Sequence, residues 1–593
     1  MIPKKALKMS QMRTRTSSKS RTRQLWKKMG GVISFISLRH HNERDLTPSK
    51  QVRTRNGLVE GFRIKIDDEK EVDLFLGIPF AKAPVGDLRF KNPENTDDWD
   101  GVRKCVRFGP RAPQADFFWE RFTLGVGKSE DCLYLNVFSP TWKAEEVSNG
   151  LHPVMVYVHG GGFLIDSAVK YGDEGIAKYL CRHGVVVVTI QYRLGLLGFF
   201  STGDQVCPGN LGLWDMTMAL QWVRDNVHAF GGDPRKVTVF GQSAGGVSVD
   251  LLSLSPHSRD LFHQVVPMAG NGECEWSTVG KNRLVNACRD FAYRKCWDEK
   301  QAKDENASES MLAFLRTKKE KEFEKRLLTR KGVDVSKIGL DLAPVIGTKP
   351  SDFLPKSIEE LRKEAPKKNI MVGTCEHEGL LFASLGPSNF DEKGIDKLLA
   401  LLITEENHED FEALREEAKA MYLKKESDDE DDKEIAARGY IQLYSDLFVN
   451  NGTYNYAEKM TNLGNKVFMY SFDYCNPRSF GILSLRAPFR AATHCTELAY
   501  IFGVSIVFNY KYNEADKTML DLMTRMWTNF AKYGNPNGQY EDSTVFDFKW
   551  EPTNKDELTQ FLAINEKKCE MKTIYQDNRA EFWKKIKISA KSG

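Results

Sequence analysis

Residues 237–252 constrain the fold of this chain more than any other stretch. Val237-Thr238-Val239-Phe240 is a β-branched and aromatic run of strand length, and Ala244-Gly245-Gly246 with Val247, Val249, Leu251 and Leu252 opens an apolar helix. The turn Gly241-Gln242-Ser243-Ala244-Gly245 is all that joins them. So tight a reversal strains the serine backbone, and a β-carbon at either flanking glycine would clash. The turn sets the Ser243 hydroxyl at the C-terminal edge of a sheet, beside a helix N-terminus that favours developing negative charge.

Other segments supply that sheet. Strands are expected at Gly57–Phe62, Leu74–Phe80, Leu133–Phe138 (alternating, and stopping at Pro140), Pro153–His159, Val185–Ile190 and Val237–Phe240. Leu213, Met216, Leu220, Val223 and Val227 recur at helical spacing, and Gly231-Gly232-Asp233-Pro234 ends the run. Strand, helix and strand in this order make a βαβ unit and a parallel sheet. The charged stretch Thr404–Glu434, with its run of five acids from Asp428 to Asp432, reads as a solvated excursion. The residues linked below by chemistry lie hundreds of positions apart with no Pro- or Ser-rich linker between them. Residues 46–593 are therefore expected to form one domain after a basic, disordered tail over 1–45.

Charge excludes some functions. The net charge of +4 comes from residues 1–42, which hold no Asp or Glu; the remainder is mildly acidic, which leaves no case for nucleic acid as a partner. No apolar run reaches membrane-spanning length, and no His/Cys cluster has zinc-ligand spacing.

A G-x-S-x-G match alone would arise by chance in roughly one chain in five; the strand and helix on either side make this one a candidate nucleophile. Such a serine needs donors aimed at a developing oxyanion, and His159-Gly160-Gly161-Gly162-Phe163 follows a strand directly. The base must be a histidine beyond Ser243. His257 and His263 come too soon for an acid-bearing strand to intervene, and His408 lies in what reads as a solvated helix face. His494 stands in a less charged stretch and is the best base. The strand Asn369–Gly373 could deliver either Glu376 or Glu378 as the acid, and chemistry alone does not separate them.

From about residue 50 to its end the chain resembles the carboxylesterase/cholinesterase (type B) family. The matches are Leu76–Ala81, Ser129–Val137, His159–Phe163, Gln191–Gly195, Phe230–Pro234, Gly241–Gly246 and Phe530–Asn537. The resemblance implies an α/β-hydrolase fold: a mostly parallel central sheet flanked by helices, with large insertions. It implies a carboxylic ester hydrolase acting through an acyl-enzyme on small to medium, neutral esters, with no cofactor and no metal. Its triad would be Ser243, Glu378 and His494, with oxyanion donors on Gly161, Gly162 and Ala244. It further implies ion pairs Arg89–Glu130 and Arg193–Asp215. An acyltransferase using the same acyl-enzyme, or a neuroligin-like adhesion domain, are the alternative readings.

The departures also speak. The residue before the nucleophile, usually Glu in the family, is Gln242, as in esterases resembling juvenile hormone esterase; this argues against acylcholine specificity. The partners that the family would pair with Cys132 and Cys296 are Ala112 and Phe314 here, which leaves Cys105 as a shifted partner for Cys132 and favours a reducing compartment. Sequons at Asn306 and Asn451 point the other way. The N-terminus reads as a mitochondrial transit peptide, as the n-region of a secretory signal, or as upstream of a start at Met29, whose Met29-Gly30-Gly31-Val32-Ile33-Ser34 fits a myristoylation pattern. The last gives a cytoplasmic enzyme in reversible contact with membranes through its N-terminus.

Overall fold

The computed structural model describes residues 46–116, 120, 124–144, 149–298, 306–325, 339–386, 390–425, 427, 429–505, 510–539 and 546–589. The N-terminal tail with its targeting and myristoylation readings, and Asp428 of the acidic run, lie outside them.

Among the described residues thirteen strands form one sheet: β1 Thr47–Arg53, β2 Leu58–Lys65, β3 Glu71–Pro79, β4 Val102–Lys104, β5 Tyr134–Pro140, β6 His152–Val158, β7 Val186–Ile190, β8 Gly232–Gln242, β9 Gln264–Met268, β10 Asn369–Cys375, β11 Lys466–Phe472, β12 Phe561–Ile564 and β13 Glu570–Lys572. Their spatial order is 1-2-3-5-7-6-8-9-10-11-12-13, with β4 beside β2. From β7 to β12 every neighbouring pair is parallel; the pairs β1/β2, β2/β3, β3/β5, β5/β7 and β12/β13 are antiparallel. This is the mostly parallel, helix-flanked sheet of an α/β-hydrolase.

The strands at the centre are apolar throughout because both sheet faces are covered. β6 and β7 are buried at every position. On β6, Val154, Val156 and Val158 face one core while Met155 and Tyr157 face the other, as a two-residue side-chain period demands. The first core also takes Leu213, Met216, Leu220 and Val223 of the helix Leu211–Asn226, and Val247, Val249 and Leu251 of the helix Ala244–Leu254. The second takes Met523, Met526, Trp527 and Phe530 of the helix Glu514–Tyr533.

Three expectations shift. The helix Leu211–Asn226 links β7 to β8, but these flank β6 on opposite sides, so the crossover spans an intervening strand. β8 begins at Gly232, immediately after the left-handed Gly231, five residues before the apolar run starts. β5 continues through Pro140 and is buried at six consecutive positions instead of alternating, because both sheet faces are covered there: Leu135 and Val137 enter the first core and Phe138 the second.

The reading of residues 404–434 as solvated is corrected in part. Ala418 and Tyr422 of the helix Phe411–Tyr422 are buried in a third apolar cluster. The Tyr422 hydroxyl donates to Asp446 Oδ2 at 2.8 Å, and Arg579 reaches the same carboxylate at 2.6 Å. His408 is not on a helix face: it lies in a turn and is only 4% exposed. Of the acidic run, Asp431 caps the helix Asp432–Ser445, accepting from the N–H groups of Lys433 and Glu434.

Both ion pairs implied by the resemblance are present and buried. Arg193 grips Asp215 with Nη2 at 2.6 Å and Nε at 2.8 Å; Arg89 Nε donates to Glu130 at 2.7 Å. Paired so, each charge avoids the penalty of lone burial. All eleven cysteines are free thiols, Cys105 and Cys132 included. Burial pushes the Cys105 thiol up to about 12.

Candidate active site

The registers Val158↔Gly241, Gln242↔Met268 and Gly373↔Met268 bring the ends of β6, β8 and β10 to one level of one sheet edge. The loops that leave there carry the glycine triplet, Ser243 and Glu378.

Ser243 sits at φ 60°, ψ −124°, a conformation a residue with a side chain adopts only under constraint. The constraint is visible. Its N–H donates to Met268 O at 2.8 Å, and a β-carbon at Gly245 would stand 2.1 Å from Val158 O. One at Gly241 would stand 2.6 Å from the Gly245 carbonyl carbon. The loop after β6 is pinned by Tyr192, whose ring stacks on His159 at 4.4 Å and whose hydroxyl donates to His159 O at 2.8 Å. Gly161 and Gly162 both have positive φ, 94° and 59°. Among the described residues the N–H groups of Gly161, Gly162 and Ala244 donate to no protein acceptor, the condition under which they could serve an oxyanion.

Glu378 is fully buried. One carboxylate oxygen accepts from the Cys375 N–H at 2.6 Å; the other accepts from His494 Nδ1, also at 2.6 Å. Thr493 ties the two loops together, accepting from the Leu381 N–H at 2.8 Å and donating to Glu378 O. Glu376, the rival acid, has a side chain 45% exposed and lies 3.8 Å from His377, outside the site. His494 is 5% and Ser243 7% exposed. The Ser243 hydroxyl makes no hydrogen bond to His494; such contacts commonly tighten only with substrate bound.

Several neighbours were not legible in the sequence. Phe382 and Phe448 pack on the His494 ring at centroid distances of 5.1 and 5.2 Å. Phe448 also stacks on Trp276 at 5.4 Å. Gln242 puts its amide nitrogen against the His494 ring. Behind Glu378, the fully buried Glu497 accepts from the Cys375 thiol at 2.9 Å; burial, and then the charge of Glu378, push its carboxyl up to about 8. The sequence placed Glu497 three residues from His494 but carried no sign that its carboxyl is buried. A cavity beside His494 is walled by Leu381, Phe480, Leu483, Thr493, Cys495 and Tyr510 among others, and among the described residues no carboxylate lines it. Among the described residues no cluster of His, Cys, Asp and Glu could hold a metal ion, and no helix is long and apolar enough to cross a membrane.

A strained serine between strand and helix, at the carboxyl edge of a parallel sheet, defines the chain as an α/β-hydrolase. Comparison with known proteins narrows this: the sequence model described as "Carboxylesterase family" matches residues 48–583, and the chain belongs to that family. It is 38% identical over 566 residues to esterase cest-33 of Caenorhabditis elegans, covering 94% of this chain and 96% of the relative. It is 31% identical over 554 residues to the medium-chain fatty acyl-CoA hydrolase precursor of Anas platyrhynchos (90% and 92%). To neuroligin-3 of Mus musculus it is 29% identical over 603 residues, spanning 69% of that protein. The protein is a carboxylic ester hydrolase whose substrates are small-molecule esters.

Proposed function

We propose that the ester is cleaved in two acyl transfers through Ser243. His494 Nε2 takes the Ser243 hydroxyl proton as Oγ bonds to the ester carbonyl carbon. The oxyanion that forms accepts from the N–H groups of Gly161, Gly162 and Ala244. It collapses as the carbon–alkoxy bond breaks, and the alcohol leaves with the proton from His494. Water, deprotonated by the same imidazole, then cleaves the acyl-enzyme and restores Ser243. Glu378 holds the Nδ1 proton and offsets the imidazolium charge. The observation that carries this reading is the 2.6 Å contact between His494 Nδ1 and a fully buried Glu378.

Neutral esters of small to medium size fit best. Gln242 stands where a carboxylate would favour cationic substrates, and among the described residues the cavity beside His494 has no carboxylate in its wall. The name of the Anas platyrhynchos relative adds medium-chain acyl thioesters to the substrates worth assaying. The test is burst kinetics with p-nitrophenyl esters of increasing chain length, followed by peptide mapping of the trapped acyl group. A stoichiometric burst with the acyl group on the Ser243 peptide is expected. A label on any other residue sinks the proposal.

We further propose that the enzyme works in the cytoplasm, in reversible contact with membranes through a myristoylated Gly30. Eleven thiols outside any disulfide support this reading. So does Thr453, whose complete burial within a helix closes the sequon at Asn451 to glycosylation of the folded protein. Mass spectrometry of the native N-terminus decides it: residues 1–28 found intact, or cleavage beyond residue 38, overturns the proposal.

A further inference from the structure

The imidazole of His494 is touched by a side chain with no part in the two acyl transfers. Gln242 Nε2 lies 3.2 Å from His494 Nε2 and 3.3 Å from Nδ1. A donor aimed along one nitrogen's lone pair would be far from the other. Near-equal distances place the amide nitrogen over the face of the ring. The opposite end of the carboxamide is also held: Oε1 accepts from the Cys495 thiol at 3.2 Å and lies against Gly160, where a β-carbon would come within 3.2 Å of it. Gln242 is 1% exposed, so its carboxamide is shielded from bulk solvent.

An amide is a dipole whose amino end is positive. With that end on the ring, the imidazolium form of His494 is disfavoured; turned over, the oxygen would favour it. A thiol donates better than it accepts, so Cys495 selects the first orientation. Burial, reinforced by the charges of Glu497 and Glu378, pushes the Cys495 thiol well above its ordinary range, so it remains a donor throughout the working pH range. Its backbone is left-handed, at φ 73°, where a side chain is strained and glycine would be relaxed. Strain at such a place is a pointer to function.

We infer that Cys495 is a positioning residue of the ester-cleaving site: its thiol holds the Gln242 carboxamide amino-end-on against His494 and thereby keeps the base neutral to lower pH. The inference rests on the triad proposed above. The titratable and charged groups around this cluster are Glu378, Glu497, the thiol of Cys375, the hydroxyls of Tyr157 and Tyr171, and Asp166 and Lys170, whose charges reach Cys495. All of them are common to every variant below.

The experiment reads the pKa of the acid limb of kcat/KM on a neutral ester. In Cys495→Ala and Cys495→Gly the carboxamide is released, and the limb should move up by about half a pH unit. Cys495→Ser, which still donates, should stay near the parent enzyme. In a Gln242→Leu background, Cys495→Ala should add no shift. An unmoved limb in both Cys495→Ala and Cys495→Gly overturns the inference, as does the same shift appearing without Gln242. The His494 imidazole is also titrated by NMR in the Ser243→Ala protein, where the same order is expected. That readout needs no turnover, so failure of the triad proposal and failure of this one are told apart.

Discussion

The two sides of the site are built by different means. The Ser243 side is local: β8, the turn at Ser243 and the helix Ala244–Leu254 are contiguous, and backbone packing around two glycines sets the serine. The other side is assembled from Glu378 and His494, 116 positions apart, and held by hydrogen bonds from the Cys375 N–H and through the Thr493 side chain. Substituting the glycines on the first side should disturb the fold, whereas substitutions on the second should disturb chemistry within an intact fold.

The largest effect expected is on the chemistry. Ser243→Ala, His494→Ala and Glu378→Gln should each lower ester turnover by on the order of a thousandfold or more while leaving the melting temperature nearly unchanged. Glu376→Gln should leave turnover nearly intact; if it were the damaging change, the acid is misassigned. Gly245→Ala is the counterpart on the Ser243 side. Its β-carbon would meet Val158 O at 2.1 Å, so urea unfolding should reveal a loss of about 3 kcal/mol or more, or no folded protein. A stable, inactive Gly245→Ala enzyme would erase the contrast.

Intermediate effects probe the groups around His494. Gln242→Glu should raise turnover of choline esters relative to neutral esters of equal acyl length several-fold, by placing a carboxylate beside the imidazole. An unchanged ratio would show that position 242 does not set charge preference. Glu497 offers a stability test with a definite sign. Its carboxyl rises from an ordinary 4.5 to about 8 on folding. Between those values the folded state holds a proton that the unfolded chain has released. Stability is therefore fully present below about 4.5 and falls as pH rises towards 8. Glu497→Gln should remove that slope, so its melting temperature relative to the parent should climb from pH 5 to pH 8; a difference that stays constant with pH would refute the shift. The smallest effect concerns the thiols. Cys132 and Cys296 should be alkylated after unfolding without reductant, and a Cys105–Cys132 bridge found by mass spectrometry would contradict the free thiols of the structure.

Legibility in the sequence followed the same division. The turn at Ser243, the glycine triplet and the apolar strands around them could be read directly. So could His494, by elimination, although one step was wrong in its premise: His408 was set aside as solvated and is buried in a turn. Flanking acids at Glu405, Glu406, Glu409 and Asp410 made that segment look wet, and all four are exposed; the histidine between them turns inward. Glu376 and Glu378 were equivalent by spacing from β10, and the choice needed either the family resemblance or the fold. The family resemblance placed Gln242 near the imidazole, but nothing near Phe382 or Phe448 indicated that they meet it too.

The sequence by itself determined where this chain reverses from strand to helix around a serine, that Val185–Ile190 and Val237–Phe240 are strands enclosed on both faces, and where bare N–H groups can face that serine. Those features act over a few residues and leave marks in residue type: glycine where a β-carbon has no room, valine and isoleucine where both faces of a strand are covered. Only the tertiary structure decided that β6 lies between β7 and β8, that Glu378 and not Glu376 meets His494, and that Cys495 and Gln242 stand against the same ring. Which way a side chain faces once the chain has closed depends on packing between segments hundreds of residues apart, and no local pattern encodes it.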